Sequence, residues 1–203
     1  MRAMPVVDFW LEFASTYSYP AAMRIGPLAE AAGVSVSWRP FSLGAIFKQQ
    51  GWPADSPFNW QPAKGRHMWR DLERQCESMG LPFRKPEPFP QPSLLAARVA
   101  LIGLEQGWGQ DFARAVYRAE FGEGRQIGDA ALIDALLQNL GVAPDPVLAR
   151  AQSDEIKAKL RSETEAAQRA GVFGAPSFVT EDGELFWGND RLEQALEWAR
   201  SSA

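Results

Sequence analysis

Strand-like patterning occurs in this chain only near its two ends, and that separation limits the folds open to it. The segment "PVVDFWLEF" (5–13) alternates and is rich in Val, Phe and Trp, and "VSVSWRPF" (34–41) also has period-two character. The next such pattern is "PSFVTEDGELFW" (176–187), two short apolar runs around a turn at "EDG". Any sheet must therefore join residues that lie on either side of a long helical stretch. Between the first two strands, "STYSYPAAMRIGPLAEAAG" reads as a helix ending at Gly33, with a late start or a kink expected from Pro20 and Pro27. A right-handed crossover of that kind lays the first two strands side by side and parallel, and the late hairpin completes the sheet.

The middle of the chain reads differently. Residues 42–63 hold Pro53, Pro57 and Pro62 among glycines and polar residues, which predicts a long surface loop. From Lys64 to about Leu148 the apolar spacing is helical. "HMWRDLERQCESMG" sets Met68, Leu72, Cys76 and Met79 on one face, and "SLLAARVALIGLEQG" is apolar nearly all round. "DAALIDALLQNLG" starts at a capping Asp129 and stops at Gly141. One further helix is expected over 146–170, and "NDRLEQALEWAR" closes the chain with Leu192, Ala195, Leu196 and Ala199 on one side. This order implies an α/β chain with a thioredoxin-like fold and a large helical insertion. Residues 1–63 and 171–203 would form the thioredoxin-like domain, and 64–170 the helical insertion domain.

Composition narrows the function classes. With 203 residues, 46% of them hydrophobic, the chain can bury a sizeable core. A net charge of −4 offers no basic footprint for nucleic acid or an anionic membrane. The N-terminal apolar run carries Asp8 and Glu12, unlike a signal peptide, and no run is long enough to span a bilayer, so a cytoplasmic location is expected. A single cysteine, Cys76, excludes an internal disulfide and a Cys-x-x-Cys couple, and one His with one Cys makes no usual zinc site, so no metal is expected.

Ligands of open α/β sheets bind beyond the carboxyl ends of the parallel strands, here just after Phe13, where the chain reads "ASTYS". Ser15 stands where the first strand meets the first helix, and a helix start favours an anion to which a hydroxyl can add a hydrogen bond. Equally, Ser15 or Ser18 could be a plain N-cap. Pro176 opens a strand without losing a ladder bond, trans being the commoner state of such a bond. Asp190 is a carboxylate near a helix start, beside Asn189, which can cap that helix. Lys64 and Arg66 are cations near a helix N-terminus, where a bound carboxylate would suit them. Cys76 reads as a buried core thiol and His67 as a rim residue without a visible partner. The eight tryptophans read mostly as core, with Trp52 and Trp60 placed to cover an aromatic ligand.

"DFWLEFASTYSY", "LGAIFKQQG", "PAKGRHMWRDLER", "GLPFRKP" and "GVFGAPSFVTEDGELFWGNDRLE" together resemble the 2-hydroxychromene-2-carboxylate isomerase family over nearly the whole chain. That family is related to kappa-class glutathione transferases and, more remotely, to DsbA-type oxidoreductases. The resemblance implies glutathione as cofactor, a small aromatic substrate, and a homodimer as the common state of relatives. By the same resemblance Ser15 faces the glutathione sulfur, Ala175 before a cis Pro176 offers backbone hydrogen bonds to the cysteinyl unit, Asn189 and Asp190 hold the γ-glutamyl end, and Lys64 matches a family lysine. The chain departs from the family in two places. Trp52 stands where an asparagine is usual, with the longer "ADSPFNWQ" after it and Asn59 the nearest replacement, and "STYS" replaces "SPYS". Disulfide chemistry is excluded by inventory, since Ser15 and Ser18 occupy the places of the pair it needs. Three readings follow: a glutathione-dependent isomerase, a kappa-like transferase, and a catalytically idle thioredoxin-fold binding module.

Overall fold

The computed structural model describes residues 4–53 and 55–202. Its sheet has four strands, β1 (Val6–Leu11), β2 (Ser35–Pro40), β3 (Ser177–Thr180) and β4 (Leu185–Trp187), in the order β2-β1-β3-β4. Helix α1 (Ser18–Ala32) makes the crossover, so β1 and β2 run parallel with Phe9 opposite Trp38. β3 returns antiparallel to β1 with Phe9 opposite Phe178, and β4 forms the hairpin with β3. The fold is thioredoxin-like, with a long helical insertion between β2 and β3. Among the described residues no helix is long and apolar enough to cross a membrane.

Alternation along β1 divides the core. Val7, Phe9 and Leu11 enter the main buried cluster, shared with α1, α5 (Leu94–Gln106), α6 (Gly109–Tyr117), α7 (Ala130–Asn139) and the closing helix α10 (Leu192–Ser202). Trp10 points to a smaller cluster with Phe41, Ile46, Val172, Ala175 and Val179. The larger cluster continues from the sheet into the helical insertion, so the end of β1 is held from both sides.

Several sequence expectations are corrected. α1 runs on through Pro27, and Pro20 sits in the first turn, where a missing N–H costs no intrahelical bond. The segment 42–63 is not simply loop. It contains α2 (Leu43–Gln49), capped by Ser42 accepting from the Ala45 N–H, and α3 (Pro57–Trp60), capped by Ser56. α4 (Pro62–Ser78) follows, so Pro57 and Pro62 open helices, their fixed φ suiting a first turn. The single helix expected over 146–170 is two, α8 (Pro144–Ala151) and α9 (Asp154–Arg169), because Ser153 accepts from the Ile156 N–H and restarts the helix. α6 and the π-helical turn Arg118–Gly122 behind it were not separated by the sequence pattern. Asp129 does cap α7, accepting from the Ala131 N–H at 2.9 Å.

Candidate active site

β1 ends at Leu11, and the chain turns before α1 begins at Ser18. The Ser15 N–H bonds back to the Glu12 carbonyl at 3.1 Å, and the Ser15 carbonyl accepts from the Ser18 N–H at 3.2 Å. Neither serine caps the helix: Tyr17 occupies the N-cap position without a side-chain bond, and the fully buried Ser18 hydroxyl has no partner among the described residues. The N–H groups of Thr16 and Tyr17 also find no acceptor there. Ser15 thus stands beside two free donors at the positive end of α1, an arrangement that stabilises an anion.

The Ser15 hydroxyl donates across the site to the Ala175 carbonyl at 2.8 Å. The Ala175–Pro176 peptide is cis, as the family resemblance implies and as bare frequencies would not suggest. The Ala175 N–H has no acceptor among the described residues. Pro176 accepts from the Gly188 N–H at 2.9 Å, which brings the turn carrying Asn189 and Asp190 against this loop. Gly188 has φ 108°, and a Cβ on it would lie 2.5 Å from Asp190 Oδ1, so glycine lets the carboxylate fold against the turn. Gly174 is needed for another reason: a Cβ there would stand 2.5 Å from Trp187 Nε1, in the space of the indole.

Asn189 does not cap a helix. It opens the 3-10 turn Asn189–Arg191, is buried, and spends its side chain on two neighbours. Its Oδ1 accepts from Arg24 Nε at 2.9 Å and its Nδ2 donates to Gln75 Oε1 at 2.8 Å. Asp190 is exposed, with only Arg191 at 3.8 Å as a charged neighbour among the described residues. Side by side, the two residues differ: Asn189 fixes the turn through its buried hydrogen bonds, and Asp190 carries an exposed carboxylate.

α4 forms one wall. Thr16 Oγ1 donates to Met68 Sδ at 3.3 Å, the Tyr17 hydroxyl donates to Asp71 Oδ2 at 3.0 Å, and Gln75 meets Asn189. Burial, then the bond to Asp71, pushes the Tyr17 phenol above its ordinary range. Burial opposes ionisation of Asp71, yet hydrogen bonds from Tyr17, Gln75 and Arg74 outweigh it and hold that carboxyl low. Lys64 lies in the first turn of the same helix, its ammonium 5.5 Å from the centre of the Phe58 ring. From Lys64 to Gln75 the helix rises about 16 Å, so the cation lies about that far along α4 from the residue that holds Asn189.

Other candidates fall outside. His67 is exposed on α4, whereas Cys76 is buried, and burial pushes its thiol up to about 11. Asn59, in line to replace the family asparagine, donates to Asp55 and to the Phe89 carbonyl. Trp52 stacks on Phe47 with ring centres 5.0 Å apart and meets Trp60 edge-on. The tryptophans are less central than expected: only Trp10 and Trp38 are buried, while Trp52, Trp60, Trp187 and Trp198 are exposed. Sequence reasoning missed Arg24, Asp71 and Gln75, whose polar character on helix faces gave no sign of the turn they support. It also noticed Glu12 only as a charge in an apolar run.

Comparison with known proteins places the fold in a family. The model of the DSBA-like thioredoxin domain matches residues 6–197. A 2-hydroxychromene-2-carboxylate isomerase of Sphingobium xenophagum is 28% identical over 187 residues, covering 92% of this chain and 94% of that protein. Glutathione S-transferase kappa 2 of Caenorhabditis elegans is 26% identical over 210 residues, covering 95% and 91%. Among solved structures, a 2-hydroxychromene-2-carboxylate isomerase superposes with a TM-score of 0.85 at 24% identity, covering 97% of this chain and 95% of that one.

Proposed function

Because this chain belongs to the DSBA-like thioredoxin family, and its relatives include isomerases and glutathione transferases, we propose that it is a glutathione-dependent isomerase of the 2-hydroxychromene-2-carboxylate type. The observation that carries this reading is the bond from Ser15 Oγ to the Ala175 carbonyl, which joins a strand-end hydroxyl to the residue before Pro176 where no thiol is present.

The residues fit glutathione. Ala175 has a free N–H, and its carbonyl is freed when the Ser15 hydroxyl turns away, so both can pair with a peptide unit. The Asp190 carboxylate suits an ammonium group, and the Lys64 ammonium at the far end of α4 suits a carboxylate. When bound, glutathione supplies a sulfur nucleophile that adds reversibly to a conjugated carbon of a ring-opened aromatic enone, so that the former double bond rotates before the sulfur departs.

The protein's part is electrostatic and geometric. Ser15 exchanges a neutral carbonyl acceptor for an anionic one, a stronger bond, while the Thr16 and Tyr17 N–H groups add the field of the helix start. Together they favour the ionised thiol over the neutral one. The α4 wall orients the bound molecule, and orientation converts the addition into an effectively unimolecular step.

The reading is tested by turnover of 2-hydroxychromene-2-carboxylate with glutathione, with no thiol, and with S-methylglutathione. Isomerisation is expected only with glutathione, and S-methylglutathione should inhibit. Equal turnover without thiol would overturn the reading. The kappa-class relatives favour a second outcome, a transferase that releases a stable conjugate, and mass spectrometry of the product separates the two. A catalytically idle binding module would show no affinity for glutathione.

A further inference from the structure

Behind the Ser15 turn lie two buried carboxyl groups for which the proposed reaction has no use. Glu12 is 6% exposed and Glu120 is fully buried. Glu12 is held at every polar atom it offers to the turn. Its carbonyl accepts from the Ser15 N–H at 3.1 Å and from the Tyr117 hydroxyl at 2.9 Å. Its Oε1 accepts from the Ala14 N–H at 3.3 Å and its Oε2 from the Leu43 N–H at 2.9 Å. One residue thereby grips the chain on both sides of the turn and fastens it to the start of α2. Glu120 differs in its partners. It sits in the π-helical turn Arg118–Gly122, and neither carboxyl oxygen has a hydrogen-bond partner among the described residues.

A charge is costly in so dry a place. Neither group has hydration to offset it, and Glu120 in addition feels the charge of Glu12. Hydrogen bonding decides which keeps its charge. A carboxylate that accepts from two backbone N–H groups is stabilised as an anion, whereas one without donors has nothing in place of water. Burial raises both groups, but for Glu12 the Ser93 hydroxyl and the Leu43 and Ala14 N–H groups act against it, and for Glu120 the Glu12 charge adds to it. The other titratable group in reach is the Tyr117 phenol, which burial holds neutral far above its ordinary range. Neither carboxyl group takes part in an ion pair among the described residues.

We propose that Glu120, buried without a partner, is held protonated, and that Glu12, which accepts from two backbone N–H groups, is ionised and is the positioning residue that sets the Ser15 turn. The protonation and the clamp stand on the geometry of the free protein. Only their consequence for a bound thiol rests on the glutathione reading.

Carbon-13 spectra of protein labelled at the glutamate carboxyl carbons test the first half directly. At pH 7 one glutamate should show the upfield carboxyl signal of a neutral acid, and that signal should vanish in Glu120→Gln and persist in Glu12→Gln. Absence of any neutral glutamate at pH 7, or loss of the signal in Glu12→Gln alone, overturns the proposal. Should Glu12→Gln fail to fold, Glu120→Gln decides alone, since persistence of the neutral signal there also overturns it.

The clamp is read from amide hydrogen exchange at Ala14 and Leu43, which should quicken tenfold or more in Glu12→Gln and stay as in the wild type in Glu120→Gln. The bound glutathione thiol supplies a readout that lost packing would not move: its ionised share at pH 7 should fall about tenfold in Glu12→Gln, with S-methylglutathione affinity nearly unchanged. Unaltered exchange, or an unaltered thiolate share, overturns the positioning role. If the wild type binds no glutathione, the functional reading fails, and carboxyl signals with amide exchange still judge the clamp.

Discussion

Ser15 is the residue on which the functional reading turns. Its hydroxyl lies 2.8 Å from a carbonyl it can abandon for an anion, and loss of one preorganised donor commonly costs on the order of 10² in rate. Ser15→Ala should lower turnover by about that factor without changing the denaturation midpoint appreciably. Steady-state rates with saturating glutathione, beside urea unfolding, check both parts. Cys76 makes the complementary case. Its thiol is buried and pushed up to about 11, so it is neither ionised nor reachable at neutral pH. Cys76→Ala should cost about 1 kcal/mol of stability through a small cavity and leave activity intact. Rapid labelling of the native protein by a thiol reagent would contradict the placement.

Elements contribute through their ends. α1 begins without a side-chain cap, which leaves Thr16 and Tyr17 N–H groups for a ligand, whereas α2, α7 and α9 each carry a serine or aspartate that satisfies the first turn. α4, α5, α6 and α8 also start without a side-chain cap, so what sets α1 apart is that its start lies beside Ser15. The capped ones are structural, so Asp129→Ala should lower stability by about 1 kcal/mol, measured by denaturant unfolding, with kcat/KM unchanged. α4 joins the two roles. Its buried face of Met68, Leu72 and Cys76 anchors it, and its contacts to Thr16, Tyr17 and Asn189 tie it to the Ser15 and Asn189 turns.

At the scale of the molecule, the buried carboxyl pair links stability to pH. Glu120 in the folded protein keeps its proton well above 4.5, the value at which an ordinary glutamate gives it up. Between those two points the folded state binds more protons than the unfolded state, so stability falls as pH rises, and levels off only above the folded value. Glu120→Gln removes that dependence while keeping a neutral side chain of the same shape. Its melting temperature should exceed that of the wild type by more at pH 8 than at pH 5. An equal difference at both values would mean that Glu120 titrates normally. Because the main buried cluster runs from the sheet into the insertion, a single unfolding transition should report this effect.

Periodicity alone was enough to locate β1, β2, the late hairpin and the closing helix, because alternation and helical spacing are properties of neighbouring residues. The family motifs, contiguous stretches, implied the cis Ala175–Pro176 bond that the structure contains and set Ser15 where its hydroxyl meets Ala175. Pro57 and Pro62 misled because a proline at a helix start and one in a loop look alike until the cap is seen. Trp187 and Trp198, read as core but exposed, misled because apolar character does not say which face a side chain takes. What tertiary structure decided were the pairings across long separations: Ser15 with Ala175, Asn189 with Arg24 and Gln75, Glu12 with Leu43 and Tyr117. A hydrogen bond is directional and reaches about 3 Å, so it exists only once the chain has closed, and no local pattern encodes it.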